Sequence, residues 1–328
     1  MRQLAIAVLV SIFVSTSLFA QNNRSAVSLT GNDAATCTVP DPCRTFDVAI
    51  SKTNAGGEVV VLSSAGYGPF TVTKPVSIIS PPAYHAAIAP TSGDAITVNA
   101  DNALVVLRGL TLNGSLGGVN GITFIGQTAS ASNTRLYVEN CVISGFSGNG
   151  VNFARNGMLF ISQFVARENG GAIFVDGSPG FPSSASIDHA LMQRSAVNGL
   201  LVENATVAVR DSIAADNGNN GFYSLALAAG TTASIHADNC QATHNSGGFW
   251  TSGTGARLMV SNSVASLNSS FGIGVGNNGT VRPSNNAVTG NDVGFVNFSG
   301  VFLSEGNNTV NGNTTMETSG TITTFGPM

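Results

Sequence analysis

Lysine is almost absent: the chain of 328 residues has two, Lys52 and Lys74. Only 9% of residues are charged, and the formal net charge is −4. There is no basic stripe of the kind that neutralises phosphates, which argues against a nucleic-acid partner. Aromatic residues are sparse too, with a single tryptophan, Trp250. After the first twenty residues no apolar run is long enough for a transmembrane segment. Yet 43% of the chain is apolar, too much for a disordered polar sequence and enough for a substantial core. Glycine is abundant at 39 residues, and asparagine, valine, isoleucine and threonine are frequent. That mixture predicts many short strands and tight turns.

The start of the chain has the form of an export leader. Arg2 precedes the apolar stretch Leu4–Val14, which is too short to span a bilayer, and Ala20 is a small residue at a cleavage point. Residues 1–20 are expected to be removed as a signal peptide near Ala20, taking the formal charge to −5. The mature chain is then secreted: extracellular, periplasmic or on the cell surface. No cysteine adjoins the cleavage point, which argues against a lipid anchor. In an oxidising compartment Cys37 and Cys43, six residues apart in a proline-bracketed loop, are expected to form a disulfide. No histidine or second cysteine pair accompanies them as a zinc site requires.

The main signal is an internal repeat. Strand-like segments beginning near Leu136, Leu159, Ser186, Val207, Ser234, Leu258 and Val281 each lead to a glycine: Gly150, Gly171, Gly199, Gly221, Gly248, Gly272 and Gly294. The glycines are 21, 28, 22, 27, 24 and 22 residues apart. Insertions fall at one kind of place, between Gly177 and Ser184 and between Ala228 and Thr232. The apolar period is 2, as in strands, and not 3.6. Each repeat thus reads as one coil of a solenoid whose inner face is buried only by stacking on its neighbours. Glycine suits a crowded or positive-φ corner. About ten residues before each glycine stands a column of Asn140, His189, Asp211, Asp238, Asn262 and Ser284, read as a stacked turn ladder. Cys141 and Cys240 fall four coils apart, about 19 Å along the axis, too far to bridge. They are expected to be reduced, buried and inert.

The fold class that follows is all-β, a right-handed parallel β-helix (solenoid) of about 9–10 coils with a short N-terminal capping helix. Cys43–Thr53 carries Phe46, Ala49 and Ile50 at helical spacing, an amphipathic cap for the open first coil. Residues 21–56 are read as the cysteine loop and cap, 57–308 as the β-helix with Gly56–Leu62 opening its first strand, and 309–328 as a last coil and C-terminal cap. The order of cysteine loop, short helix, Gly56-Gly57-Glu58-Val59-Val60-Val61-Leu62, Gly66-Tyr67-Gly68-Pro69 and Lys74-Pro75-Val76-Ser77-Ile78 resembles the start of bacterial right-handed β-helix repeat proteins of the pectin-lyase-like class. The resemblance covers nearly all of the mature chain. It implies the fold, while the class includes lyases, hydrolases, epimerases and adhesins.

Three kinds of chemistry can be tested against the residues. Glycoside hydrolysis needs two carboxylates at defined separation. Asp211 and Asp238 are placed in neighbouring coils of one column, with Asp188, His189, His236 and Arg210 close by. Like charges that close would raise one carboxyl pKa and supply a general acid. Hydrolases of this fold carry Asn-Thr-Asp, Asp-Asp, Gly-His-Gly and Arg-Ile-Lys segments, and none occurs here. Ile187-Asp188-His189 resembles the Ile-Asp-His segment of pectate lyases, which implies calcium at Asp188, but their Arg-x-Pro-x-x-Arg base segment is missing. Calcium could also draw on Asp211, Asp216 and Asp238, although the Gly-Gly-x-Gly-x-Asp repeat of calcium-filled solenoids is absent. A turn ladder explains the same acids, and no metal or other cofactor is expected. The third chemistry is glycan binding, with Tyr223 and Trp250 as solvent-facing aromatics beside inward Phe222 and Phe249. The leading expectation is an exported β-helix with a non-catalytic binding or structural role toward polysaccharide or a cell-surface glycan. The alternative is a polysaccharide lyase or glycoside hydrolase acting on an acidic polysaccharide.

Overall fold

The computed structural model describes residues 22–125, 133–177, 183–227 and 230–326. The leader 1–20 and parts of both insertions lie outside the described residues. Three short strands make up a typical coil, as in Ala205–Arg210, Ile213–Ala215 and Asn220–Leu225. The first two join a 22-stranded sheet and the third an 11-stranded sheet. All pairings between strands are parallel, so Val207 stacks on Ile235, Leu258 and Val281 in successive coils. These inward columns form one continuous core of Val, Ile, Leu, Ala and Phe. Among the described residues the chain is a β-solenoid of about eleven turns, close to the expected 9–10.

The start of the stack differs from the expected one. The first strand is Asn22–Val27, not Gly56–Leu62, and it pairs with Thr53–Val61. Strands at Thr309–Val310, Met316–Ser319 and Thr323–Phe325 extend the stack past residue 308. Between the first two strands, Cys37 and Cys43 form a disulfide with Cα atoms 4.6 Å apart. The helix Phe46–Lys52 buries Phe46, Ala49 and Ile50 over the first coil. The Phe46 ring packs 5.2 Å from Tyr67 and 4.6 Å from Phe70. Asp33 Oδ1, from the cysteine loop, accepts from the backbone N–H groups of Arg44 and of the N-cap Thr45, tying the loop to the helix entrance.

Two columns fix the corners. In the glycine column the reason is crowding, not positive φ. A Cβ on Gly248 would lie 2.3 Å from the Gly272 carbonyl oxygen, and one on Gly199 2.6 Å from that of Gly221. In the shorter coil Ala172, not Gly171, is in register with Gly150, because Asn149 pairs with Gly171 and Val151 with Ile173. Beside this column runs a buried asparagine ladder that the sequence reading did not separate from the exposed turns. Asn217, Asn245, Asn268 and Asn291 are each no more than 3% exposed. Each side-chain oxygen accepts from the backbone N–H of the equivalent residue one coil earlier: Asn217 N to Asn245 Oδ1, Asn245 N to Asn268 Oδ1, and Asn268 N to Asn291 Oδ1, all at 3.0 Å. The amide nitrogens donate onward, as Asn245 Nδ2 does to the Ala214 carbonyl.

Cys141 and Cys240 are buried and unpaired, as expected. Burial pushes their thiols up to about 11 and about 12. A thiol reagent at pH 8 should find no reactive cysteine in the folded protein and two after unfolding in denaturant without reductant. Replacing Asn245 by Ala should strand the buried Asn217 N–H and destabilise the protein by about 1–3 kcal/mol, read as a lower urea midpoint.

Candidate functional site

Side chains of a strand alternate between faces. On the long sheet this puts Thr206, Ala208 and Arg210 outside and Ala205, Val207 and Val209 inside. Parallel register then builds outward columns. One consists of Tyr137, Phe160, Ser186, Ala208, His236, Met259 and Arg282. The next consists of Glu139, Ser162, Asp188, Arg210, Asp238, Ser261 and Ser284. Tyr137 and Phe160 stack with ring centroids 4.6 Å apart. Past them the small side chains of Ser186 and Ala208 leave a low floor. Two adjoining open depressions of about 270 and 260 Å³ follow, with His236 and Met259 lining both. Arg257 and Arg282 border one, and Arg210 and Asp238 the other.

The six candidate residues do gather in one region, but in a different register from the expected one. The left-handed turn column holds Asn140, His189, Asp211, Asn239, Asn262 and Asn285, with φ between 49 and 54°. Asp238 and Ser284 belong one position earlier, at the strand ends. Asp211 and Asp238 are therefore not stacked carboxylates. Asp211 Oδ1 accepts from Asn239 Nδ2 at 2.6 Å. Asp238 Oδ1 accepts from Asn262 Nδ2 at 2.6 Å and from Ser261 Oγ at 2.9 Å. Asn and Asp tolerate this left-handed corner at low cost. His236 lies in the groove two coils beyond His189, which sits on a turn.

The electrostatics disfavour Asp188 and Asp238 as general acids. Hydrogen bonds from Asn262 and then Ser261 hold the Asp238 carboxyl below its ordinary value, against a smaller opposing effect of burial. At Asp188 burial opposes ionisation, but hydrogen bonds from His189 and Arg210 together outweigh it, and its pKa is also lowered. Arg210 Nε donates to Asp188 Oδ1 at 2.8 Å, and His189 Nδ1 lies 3.1 Å from Asp188 Oδ2. Both carboxylates are anionic near neutral pH, so neither can protonate a leaving group. The ligand atoms of Asp188, His189 and Asp211 lie within 4.8 Å of one another, close enough to share a cation. The Arg210 guanidinium on Asp188 and the Asn239 amide on Asp211 already neutralise or occupy those oxygens, and His189 is an unsuitable ligand for calcium.

Tyr223 and Trp250 are register partners, as are Phe222 and Phe249. The phenylalanines point inward and stack at 4.8 Å, as expected. The tyrosine and tryptophan point outward, but from the 11-stranded sheet, not beside the carboxylates. Sequence reading also passed over Arg257 and Arg282. Their signal is visible only when outward positions are read column by column: Arg257 falls on the outward side of Ala256–Ser261 and Arg282 on that of Thr280–Ser284.

The Asp188 pair sets a pH dependence. A depressed carboxyl contributes stability above its unfolded value, and that contribution is lost as pH falls through the native value. Carboxyl NMR should find Asp188 titrating below 3.8, and Arg210→Gln should move it upward by removing one of its two partners.

Residues 94–265 match the family described as right handed beta helix region. No curated protein is significantly similar in sequence. Among solved structures, the A-module of the mannuronan C-5 epimerase AlgE6 of Azotobacter vinelandii superposes with a TM-score of 0.63 at 18% identity, over 86% of this chain and 88% of that one. Pectate lyase Pel9A gives 0.52 at 15% identity, over 85% and 76%. The GH136 lacto-N-biosidase of Eubacterium ramulus gives 0.54 at 10% identity, over 92% and 67%. Among the described residues no helix is long and apolar enough to cross a membrane. The fold is thus one shared with carbohydrate-active enzymes, and the chain belongs to the right-handed β-helix family.

Proposed function

We propose that this protein is an exported, non-catalytic glycan-binding β-helix whose groove on the long sheet holds an acidic polysaccharide. The observation that carries this reading is the pair Arg257 and Arg282. In a chain of formal net charge −4, two exposed arginines stand on successive coils of one groove, and among the described residues neither forms an ion pair. Guanidinium groups bind carboxylates in a bidentate fashion. They stand diagonally, one coil and two residues apart, in adjacent outward columns, so they can contact separate charges of an acidic polymer. The stacked rings of Tyr137 and Phe160 give the far end of the groove an apolar platform. The names of two structural neighbours, for mannuronan and pectate, point to the polymers to try first.

Hydrolysis fits poorly, because Asp188 and Asp238 are both held in the anionic form. Elimination is the second reading, and one observation favours it. His236 lines both depressions between Arg210 and Arg257, where a base would face a carboxylate neutralised by arginine.

Affinity electrophoresis of the mature protein in gels containing polymannuronate, polygalacturonate or a neutral glucan should show retardation by the acidic polymers. Arg257→Ala with Arg282→Ala should weaken it at least tenfold, roughly the effect of removing one or two charge-assisted hydrogen bonds. Added salt should act in the same direction, and EDTA should have no effect. Retardation that survives the double variant would refute the groove. Appearance of unsaturated chain ends, lost in His236→Ala, would replace the binding reading by the lyase reading.

A further inference from the structure

The 11-stranded sheet differs chemically from the long one. Its strands contain no lysine, arginine or histidine. Their only ionisable acids are Asp176, Glu203 and Glu317. By contrast, the strands of the long sheet carry Arg210, Arg257 and Arg282 on the groove face. The long sheet mixes these arginines with Glu139, Asp188 and Asp238, whereas the strands of the 11-stranded sheet carry acids alone.

On this acidic face the outward column runs Phe174, Leu201, Tyr223, Trp250, Gly274, Val296. A Cβ on Gly274 or Gly276 would come within 2.8–2.9 Å of the six-membered ring of Trp250. The indole therefore spreads over the two glycines, which give it a bed without side chains of their own. Phe271 supports it at a ring distance of 5.0 Å, and Phe298 meets it edge-on at 5.8 Å and 70°. Phe298 is 69% exposed, a large aromatic held in solvent beside a half-buried one. The neighbouring outward column is Asp176, Glu203, Leu225, Ser252. Asn277 Nδ2 donates to Ser252 Oγ at 2.8 Å. Aromatic faces thus run along the solenoid axis with amide and carboxyl groups beside them, over the buried Ser252 hydroxyl.

We propose that this face, over Tyr223, Trp250 and Phe298, is a second binding site that takes a neutral, hydroxyl-rich glycan. A pyranose ring has a C–H face of slightly positive character, which packs on the negative face of an aromatic ring, and an edge of hydroxyls that both donate and accept. The aromatic and polar columns match those two surfaces. The acids disfavour a polyanion here as firmly as the arginines invite one on the long sheet. Burial raises the pKa of Asp176, and burial followed by the Asp176 charge raises that of Glu203. From the coil of Tyr223 to that of Val296 the site spans about 14 Å, the reach of an oligomer and not of one sugar.

Trp250 is the only tryptophan, so its fluorescence reports on this face alone. The mature protein is titrated with hexasaccharides of β-1,4-linked glucose, mannose and xylose, and with hexamannuronate. We expect a saturable change in emission with a neutral hexamer. Phe298→Ala, which removes an exposed ring and no core, should weaken it about fivefold, while Arg257→Ala with Arg282→Ala should leave it unchanged. An emission unmoved by all three neutral hexamers, moved by hexamannuronate alone, or indifferent to Phe298→Ala would overturn the proposal. None of those results bears on the arginine groove, whose own test is independent of Trp250.

Discussion

Each coil lies one strand spacing, about 4.8 Å, from the next, and in parallel register every side chain meets its own equivalent above and below. That repeated contact organises the molecule. Inward it turns alternating apolar residues into a continuous core. At the corners it converts one tolerable residue into a column that must be tolerable in every coil. Outward it gives columns of free composition, and any binding chemistry has to be written there.

The corner columns show how the register is enforced. A coil shifted by one residue would bring a Cβ into the glycine column, where Gly248 already faces a carbonyl oxygen at a distance no Cβ can accept. It would also break the buried ladder from Asn217 to Asn291, leaving amide groups unsatisfied in the interior at a cost of about 1–3 kcal/mol each. Steric exclusion and polar satisfaction act on adjacent columns and reinforce one another. The exposed ladder from Asn140 to Asn285 is looser. Its requirement is a positive φ, and His189 or Gln163 can meet it as well as asparagine. That latitude is why this column gathers residues of catalytic type.

The solenoid was legible in the sequence because its signals are periodic: alternating apolar residues, a recurrent glycine, and a helix marked by Phe46, Ala49 and Ile50. Its ends were less legible, since Asn22–Val27 and Thr323–Phe325 are single strands with no repeat of their own to align. The site was legible as a region and misread in register. Loops of one residue more or less separate Asp211 from Asp238, and a shift of one position turns a like-charge pair into an Asp–Asn contact. Arg257, Arg282, Asp176 and Glu203 were missed because their meaning lies across coils, 22 or more residues apart, where a sequence shows only isolated charges.

The same physics explains why structures only 10–18% identical share this fold. Inward positions need apolar volume, corners need glycine or a left-handed residue, and outward positions need nothing for stability beyond avoiding repulsion between stacked neighbours. Selection on outward columns can therefore proceed without touching the fold. Family membership then says little about chemistry, and the charge of each outward column says more. Here those columns differ by sheet: arginines interleaved with acids on one, acids and aromatics without a cation in the strands of the other. Two sheets of one rigid stack cannot exchange faces, so that difference is permanent, and each face presents side chains already spaced by the coil repeat. Such pre-organisation lets weak contacts add along a polymer. A shallow surface without a deep pocket can then still hold a chain.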